Sequence, residues 1–396
     1  MMKHVLIINP NKDTFSNPSL VSILETLMKD KGIKVILLSP KQLIQKPFHF
    51  EAIEEIVLAD LSVNWGKNIK TWWPKLKFLF KLKNICKKEK ISTIIAVDPI
   101  GLIIGGRIKL LIKKIKLHYF SFEIFFQDEL VGNTYFEKLK RKEIKYTHQI
   151  DCLLIQDEER SQLLFQENKI TGANIQQFFI PVAPNSVLIP GDNRQKWRTK
   201  LGISDDKIVL LHSGSLEKWS GGEMLIDLIN LGLGENQLLL IHTKTPLDLS
   251  NPIHREIYSL QERDLPILIH ETVFSDFEEY LAFLQIADLA LTLYEKDLSS
   301  PYSGKNIEHI GLASGKFSCY LSQGIPVIVT YSKMYEKLNL EQNFAFIVKN
   351  VAEIQKLLLS LKKEDLQHKK LSSKIIYEKY LQVDSTLKQY LIYLNE

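Results

Sequence analysis

Short apolar runs recur along this chain, and between them lie longer stretches whose apolar residues return every three or four positions. In the first half the runs at 4–10, 34–40, 54–59, 91–98, 117–123, 151–156 and 177–182 read as strands. Between the first two, Leu20, Ile23, Leu24, Leu27 and Met28 share one face of a helix that Gly32 should end. Continuous apolar strands alternating with helices imply a parallel sheet covered on both faces. The segment PVAPNSVLIPG (181–191) interrupts the pattern with three prolines and a glycine, which predicts a linker. A short helix at 194–201 follows. The alternation then restarts with strands at 208–212, 237–242, 267–270, 289–294, 327–330 and 344–348, and the chain from Glu364 onward is helical by pattern.

The pattern predicts an α/β protein of two Rossmann-like doubly wound domains with a cleft between them. Residues 1–185 form the first domain, 186–375 the second, and 376–396 a terminal helix that packs back on the first. Ligands of such sheets lie beyond the carboxyl ends of the strands.

Composition narrows the class. With 396 residues, 45% hydrophobic and 24% charged, the chain can build two cores and is neither disordered nor fibrous. Three scattered cysteines exclude a disulfide framework or a zinc motif and point to a reducing, cytoplasmic setting. The apolar run Val5 to Ile8 is too short for a signal peptide, and no run reaches membrane-spanning length, so a soluble or peripheral protein is expected.

The net charge of +5 hides an asymmetry. Residues 1–182 hold 28 Lys and Arg against 19 Asp and Glu, whereas the remainder holds 23 against 27. Much of the excess lies in 67–90, KNIKTWWPKLKFLFKLKNICKKEK, and in 107–116, RIKLLIKKIK. Lysine interleaved with Trp72, Trp73, Phe78 and Phe80 at helical spacing suits an anionic membrane surface, at the inner face of the plasma membrane. The aromatics lack the spacing of a stacking platform, so nucleic acid is not expected.

The stretch GLASGKFSCYLSQGIPVIVT (311–330) has the look of a phosphate loop. It is not a Walker loop. Ile310 stands where the first glycine belongs, Phe317 where the hydroxyl belongs, and the strand follows the Gly-Lys pair instead of preceding it. A helix start preceded by Ser314 and Gly315 still offers N–H groups and a positive dipole end to a diphosphate, and Lys316 adds a full charge.

At this point the chain resembles a family, the GT-B-fold retaining glycosyltransferases of family four. SGKF (314–317) with GIPVIV (324–329) is similar to its donor loop, helix and strand, IVLLHSGSLEK (208–218) to the first strand and glycine turn of its donor domain, and DFEEY (276–280) with IADLALTL (286–293) to its later helix and strand. QDEER (156–160) and PVAP (181–184) are similar in the first half. The resemblance implies transfer of a sugar, with retained configuration and without metal, from a UDP- or GDP-linked donor to a glycan or lipid-linked acceptor in polysaccharide or glycolipid synthesis. Gly214, Ser215, Lys218, Ser314, Gly315, Lys316 and Cys319 would bind the donor, with the base against the loop HETVF (270–274) at Val273. Ser215 stands where the family has Arg, Cys319 and Gly311 stand where it has Glu, and Glu308 is the acidic residue nearest to replacing them. A sugar-nucleotide epimerase of the same fold and an inactive scaffold in a polysaccharide assembly are the alternatives.

Asp98 and Glu123 end strands in VDPIG (97–101) and FSFE (120–123), which places two carboxylates where they could bind acceptor hydroxyls or steady positive charge at an anomeric carbon. They are the catalytic candidates. His118 reads as a core residue, and His212, beside the glycine turn, as a neighbour of a phosphate.

Overall fold

The computed structural model describes residues 2–10, 17–40, 53–57, 72–171, 174–185, 188–263, 265–274 and 276–396. It divides into two compact units, Met1–Val182 with Val383–Glu396, and Ala183–Gln382. The expected limits at 185 and 375 thus lie within the second unit.

The first unit is built on seven parallel strands: β1 (Lys3–Ile8), β2 (Ile33–Ser39), β3 (Glu54–Val57), β4 (Thr93–Val97), β5 (Lys116–Phe120), β6 (Cys152–Ile155) and β7 (Gln176–Phe179). Their order is β3-β2-β1-β4-β5-β6-β7, so the winding reverses between β1 and β4. Val5, Leu6, Ile7 and Ile8 of the central strand are wholly buried, as a strand covered on both faces requires. The helix Pro18–Lys29 starts where Asn17 accepts from the N–H of Leu20 and proline occupies the first turn.

The second unit repeats the plan with six parallel strands: β8 (Ile208–Ser213), β9 (Gln237–Thr243), β10 (Ile267–Glu271), β11 (Leu289–Thr292), β12 (Val327–Thr330) and β13 (Ala345–Val348). Their order is β10-β9-β8-β11-β12-β13, and the reversal falls between β8 and β11.

The segment from Glu364 is not one helix. A helix Lys363–Ile376 widens into a π turn, Tyr377–Leu381, and Tyr377 Oη donates to the Pro184 carbonyl at 2.6 Å. The chain then rejoins the first unit as the helix Asp384–Asn395. There Tyr390 meets His118 Nδ1 at 2.8 Å, and Lys3 Nζ donates to the Leu394 carbonyl at 2.7 Å. His118 is buried, as its pattern predicts, and desolvation drives its imidazole down to about 3.

Candidate functional site

In the second unit the reversal point is lined by the turn after β8 and by the loop and helix that follow β11. Gly214 adopts φ +141 with open space where a side chain would stand, a conformation that favours glycine and leaves the backbone approachable. Ser215 is exposed, and its carbonyl accepts from His212 Nε2 at 3.0 Å and Ser220 Oγ at 2.8 Å. Lys218 sits in a short 3-10 turn and is held by carboxylates, Glu223 at 3.1 Å and Glu295 at 3.8 Å. The bond to Glu223 raises its ammonium above the usual range.

The helix Gly315–Ser322 opens at Ser314, whose Oγ accepts from the N–H of Phe317 at 3.2 Å and meets Tyr294 Oη at 2.6 Å. A helix start leaves its first N–H groups without intrahelical acceptors, and Gly315 adds no side chain to screen them. Lys316 Nζ donates to the carbonyls of Ser220 and Leu293, at 3.2 and 3.3 Å, and lies 4.5 Å from the centre of the Tyr294 ring. Among the described residues it has no carboxylate partner. Burial alone pulls the ammonium down to about 7. His212, wholly buried and beside Lys316, is held near 3 by desolvation first and by that charge second.

Tyr294 does more than its place after β11 predicts. Its ring supports Lys316, its hydroxyl braces the helix cap, and Trp219 stacks parallel to it at 6.3 Å. A cavity of about 500 Å³ opens beside it, lined in part by Met224, Thr330, Tyr331 and Lys349. No sequence spacing marks Tyr294, because its contacts come from two segments distant in the chain, Trp219 and the helix start Ser314–Lys316.

The base-binding candidates divide. Val273 is 76% exposed in a loop whose Phe274 packs among Trp197, His242 and Phe283. Cys319 lies instead in the core, and burial pushes its thiol up to about 12, so it offers no surface for a ribose. Glu308 is engaged by Lys296 at 2.5 Å. The burial of Cys319 follows from the helix Gly315–Ser322, which is buried from Phe317 through Ser322.

In the first unit Asp98 does not end a strand. It follows β4 at φ +56 and opens the helix Asp98–Leu111, a left-handed conformation that a non-glycine residue holds only at a cost. Its Oδ1 accepts from the N–H groups of Phe122 and Glu123, at 2.9 and 3.3 Å. From the other side Gln156 Nε2 donates to the Ser121 carbonyl at 2.8 Å, and Arg160 donates to the Phe122 carbonyl at 2.6 Å and to Gln156 Oε1 at 2.7 Å. The turn 121–123 is therefore clamped through its own backbone. Glu123, beyond the end of β5, is half-buried, and its carboxyl is raised to about 7. Desolvation is the main cause; Arg160 opposes it and Asp98 adds to it. Arg160 stood in the QDEER segment with no role assigned, since nothing in the spacing shows that it reaches a turn far back in the chain.

Among the described residues no group of three His, Cys, Asp or Glu side chains converges to hold a metal ion, and no helix is long and apolar enough to cross a membrane. Of the basic stretch 67–90, residues 67–71 and the side chain of Trp72 lie outside the described residues. The helix Trp72–Lys88 exposes Trp73 at 74% and Phe80 at 50%, with Lys77, Lys81, Lys87 and Lys88 exposed around them. Phe78 is buried. Leu110, Leu111, Lys113 and Lys114 are exposed at the end of the next helix.

With this geometry in place, known proteins supply a context. Residues 301–382, which include the Lys316 helix, match the family model "Glucosyltransferase 3-like, C-terminal domain". No curated protein sequence matches the chain. Solved structures match over nearly its whole length. HepE of Anabaena, solved with UDP and glucose, is 14% identical, covers 99% of both chains and has a TM-score of 0.72. Sucrose-phosphate synthase of Thermosynechococcus elongatus is 13% identical over 99% of this chain and 98% of its own, with a TM-score of 0.70. A glycosyltransferase of Rickettsia africae is 14% identical over 98% and 97%, with a TM-score of 0.68. The fold is GT-B, two Rossmann-like domains, as the strand pattern and the resemblance predict.

Proposed function

We propose that this chain is a glycosyltransferase that takes its sugar from a nucleoside diphosphate donor. The second unit holds the donor, with the diphosphate over the start of the helix Gly315–Ser322. One observation carries the reading: Lys316, a desolvated cation with no carboxylate partner among the described residues, lies in the first turn of that helix, where N–H groups also lack intrahelical acceptors. An anion of two phosphates would satisfy all of them together. The cavity beside Tyr294 has the size of a sugar site. HepE is solved with UDP and with UDP-glucose, which favours a uridine donor here, with its base at the Val273 loop.

The first unit binds the acceptor hydroxyl, and Glu123 is the carboxylate that acts on it. Asp98 then positions Glu123 through the backbone of its turn and does not itself meet substrate. Transfer proceeds with retention and without metal, as in the family the motifs resemble. The acceptor is a glycan or lipid-linked sugar in polysaccharide or glycolipid synthesis. The exposed face of Trp73, Phe80 and four lysines rests on the anionic cytoplasmic surface of a membrane.

Calorimetry with UDP and GDP, followed by assay of UDP-sugar hydrolysis, tests this. Binding of a nucleoside diphosphate, lost in Lys316→Ala, together with slow donor cleavage is the expected result. No binding of either nucleotide overturns it. Binding without cleavage or transfer makes the protein a nucleotide-sugar-binding scaffold.

A further inference from the structure

We infer that His242 is a positioning residue, which ties the loop at Val273 to the turn at Gly214 and so fixes the separation between the places of the nucleotide's base and its diphosphate. The inference rests on the donor placement proposed above and adds to it a residue that acts through its neighbours. In the sheet β9 lies between β10, which leads into the loop, and β8, which leads into the turn. His242, near the end of β9, stands opposite Ser213 of β8 and His270 of β10. Its backbone carbonyl accepts from the Gly214 N–H at 3.1 Å. Its ring is buried and meets three further groups. Nε2 lies 3.0 Å from the Thr272 carbonyl, Nδ1 lies 2.8 Å from Ser213 Oγ, and the centre of the Phe274 ring is 5.1 Å away. Thr272 and Phe274 flank Val273, so one side chain holds both neighbours of the exposed residue of the loop. The Thr272 N–H is engaged as well, by the Thr243 carbonyl at 3.0 Å.

The chemistry of the partners fixes each proton in this chain. A carbonyl only accepts, so the hydrogen of His242 sits on Nε2. Burial pulls the imidazole down to about 4, so at neutral pH the ring carries no second N–H. Nδ1 therefore accepts, and Ser213 Oγ donates to it. Ser213 Oγ is then the acceptor for Tyr280 Oη at 3.1 Å. The bonds run in one direction, from Tyr280 through Ser213 and His242 to Thr272, inside a dry environment that strengthens each of them. Ser213 is also anchored through its backbone, since its N–H donates to Tyr320 Oη at 2.8 Å. A nucleotide held at both ends gains affinity when its two subsites are already at the right separation, and a buried neutral ring bonded to both supplies that.

The test compares UDP with inorganic pyrophosphate by calorimetry on the full chain. Pyrophosphate reads the Gly214 turn and the Lys316 helix alone, and UDP reads them together with the base loop. His242→Phe keeps a ring beside Phe274 and removes both ring hydrogen bonds. It should weaken UDP by about tenfold or more and leave pyrophosphate unchanged. Ser213→Ala cuts only the bond from the ring to β8 and should move UDP in the same direction, again with pyrophosphate spared; if His242→Phe does not fold, this variant decides. A merely structural histidine would lower the melting temperature and weaken both ligands alike, or weaken neither. Either result overturns the inference and leaves the donor placement standing. A parent that binds UDP no more tightly than pyrophosphate has no base contact to position, which overturns the placement of the base and this inference with it.

Discussion

The two sheets reverse their winding in the same way, yet the carboxyl ends of the strands at the two reversal points carry opposite chemistry. In the first unit the turns after β4 and β5 gather carboxylates, Asp98 and Glu123, and a buried arginine serves mainly to hold a backbone turn. In the second unit the turns after β8 and β11 gather a glycine, a helix start and a cation. Topology thus chooses where a site lies, and the few residues in the loops choose its sign. Burial then tunes both sites toward neutrality by one mechanism. Desolvation raises the acid Glu123 to about 7 and lowers the base Lys316 to about 7.

If the carboxylate end does chemistry and the cationic end binds, the two must fail differently. The largest expected effect is at Glu123. Glu123→Gln should lower turnover by roughly 10²-fold while UDP affinity stays unchanged. The wild-type rate should also rise with pH through about 7, as the raised carboxyl ionises, and the variant should lack that limb. A steady-state pH profile with unaltered turnover would move Glu123 to a structural role. The proton that folded Glu123 retains above its unfolded range has a second consequence. The stabilisation from the neutral carboxyl is complete below about pH 4.5 and fades as pH rises through about 7, so Glu123→Gln should flatten this part of the melting curve.

Next in size is Lys316→Ala, which removes a charge-assisted contact of about 1.5–3 kcal/mol and should weaken UDP by tenfold or more with the fold intact. Its pH dependence sharpens the comparison. A diphosphate favours the charged ammonium, so binding takes up a proton above pH 7, and affinity should fall as pH rises from about 7 to 9. Lys316→Arg stays charged throughout and should remove most of that slope, a difference that calorimetry in buffers of different ionisation enthalpy reads directly.

Asp98→Ala tests the clamp. It leaves two N–H groups of the turn unpaired and should cost about 2 kcal/mol in urea denaturation, with loss of turnover as Glu123 becomes loose. The smallest effect is expected for Lys218→Ala. Its charge is already balanced by Glu223 and Glu295 at the surface, so UDP affinity should change far less than in Lys316→Ala. Equal losses in the two would erase the distinction between a paired and an unpaired lysine.

The strands were legible because a parallel sheet buried on both faces needs continuous apolar runs, and Val5 to Ile8 or Leu289 to Thr292 can be read without knowing their neighbours. The helix start at Ser314 was legible for a similar reason, since capping is settled within a few residues. The terminal helix was legible as a helix, but the break at Tyr377–Leu381 was not, because that turn bonds to Pro184 in a distant segment.

Sequence alone therefore determined what depends on neighbours along the chain: the alternation of elements, the linker, the Ser-Gly-Lys helix start and the uneven charge. Tertiary structure decided what depends on distant neighbours. It turned Cys319 into the core, engaged Lys218 and Glu308 with opposite charges, gave Lys316 the ring of Tyr294, and made Asp98 and Arg160 the two sides of one clamp. The physical reason is the same in each case. Charge state and availability are set by desolvation and by partners within a few ångströms, and only the folded chain brings those partners into range.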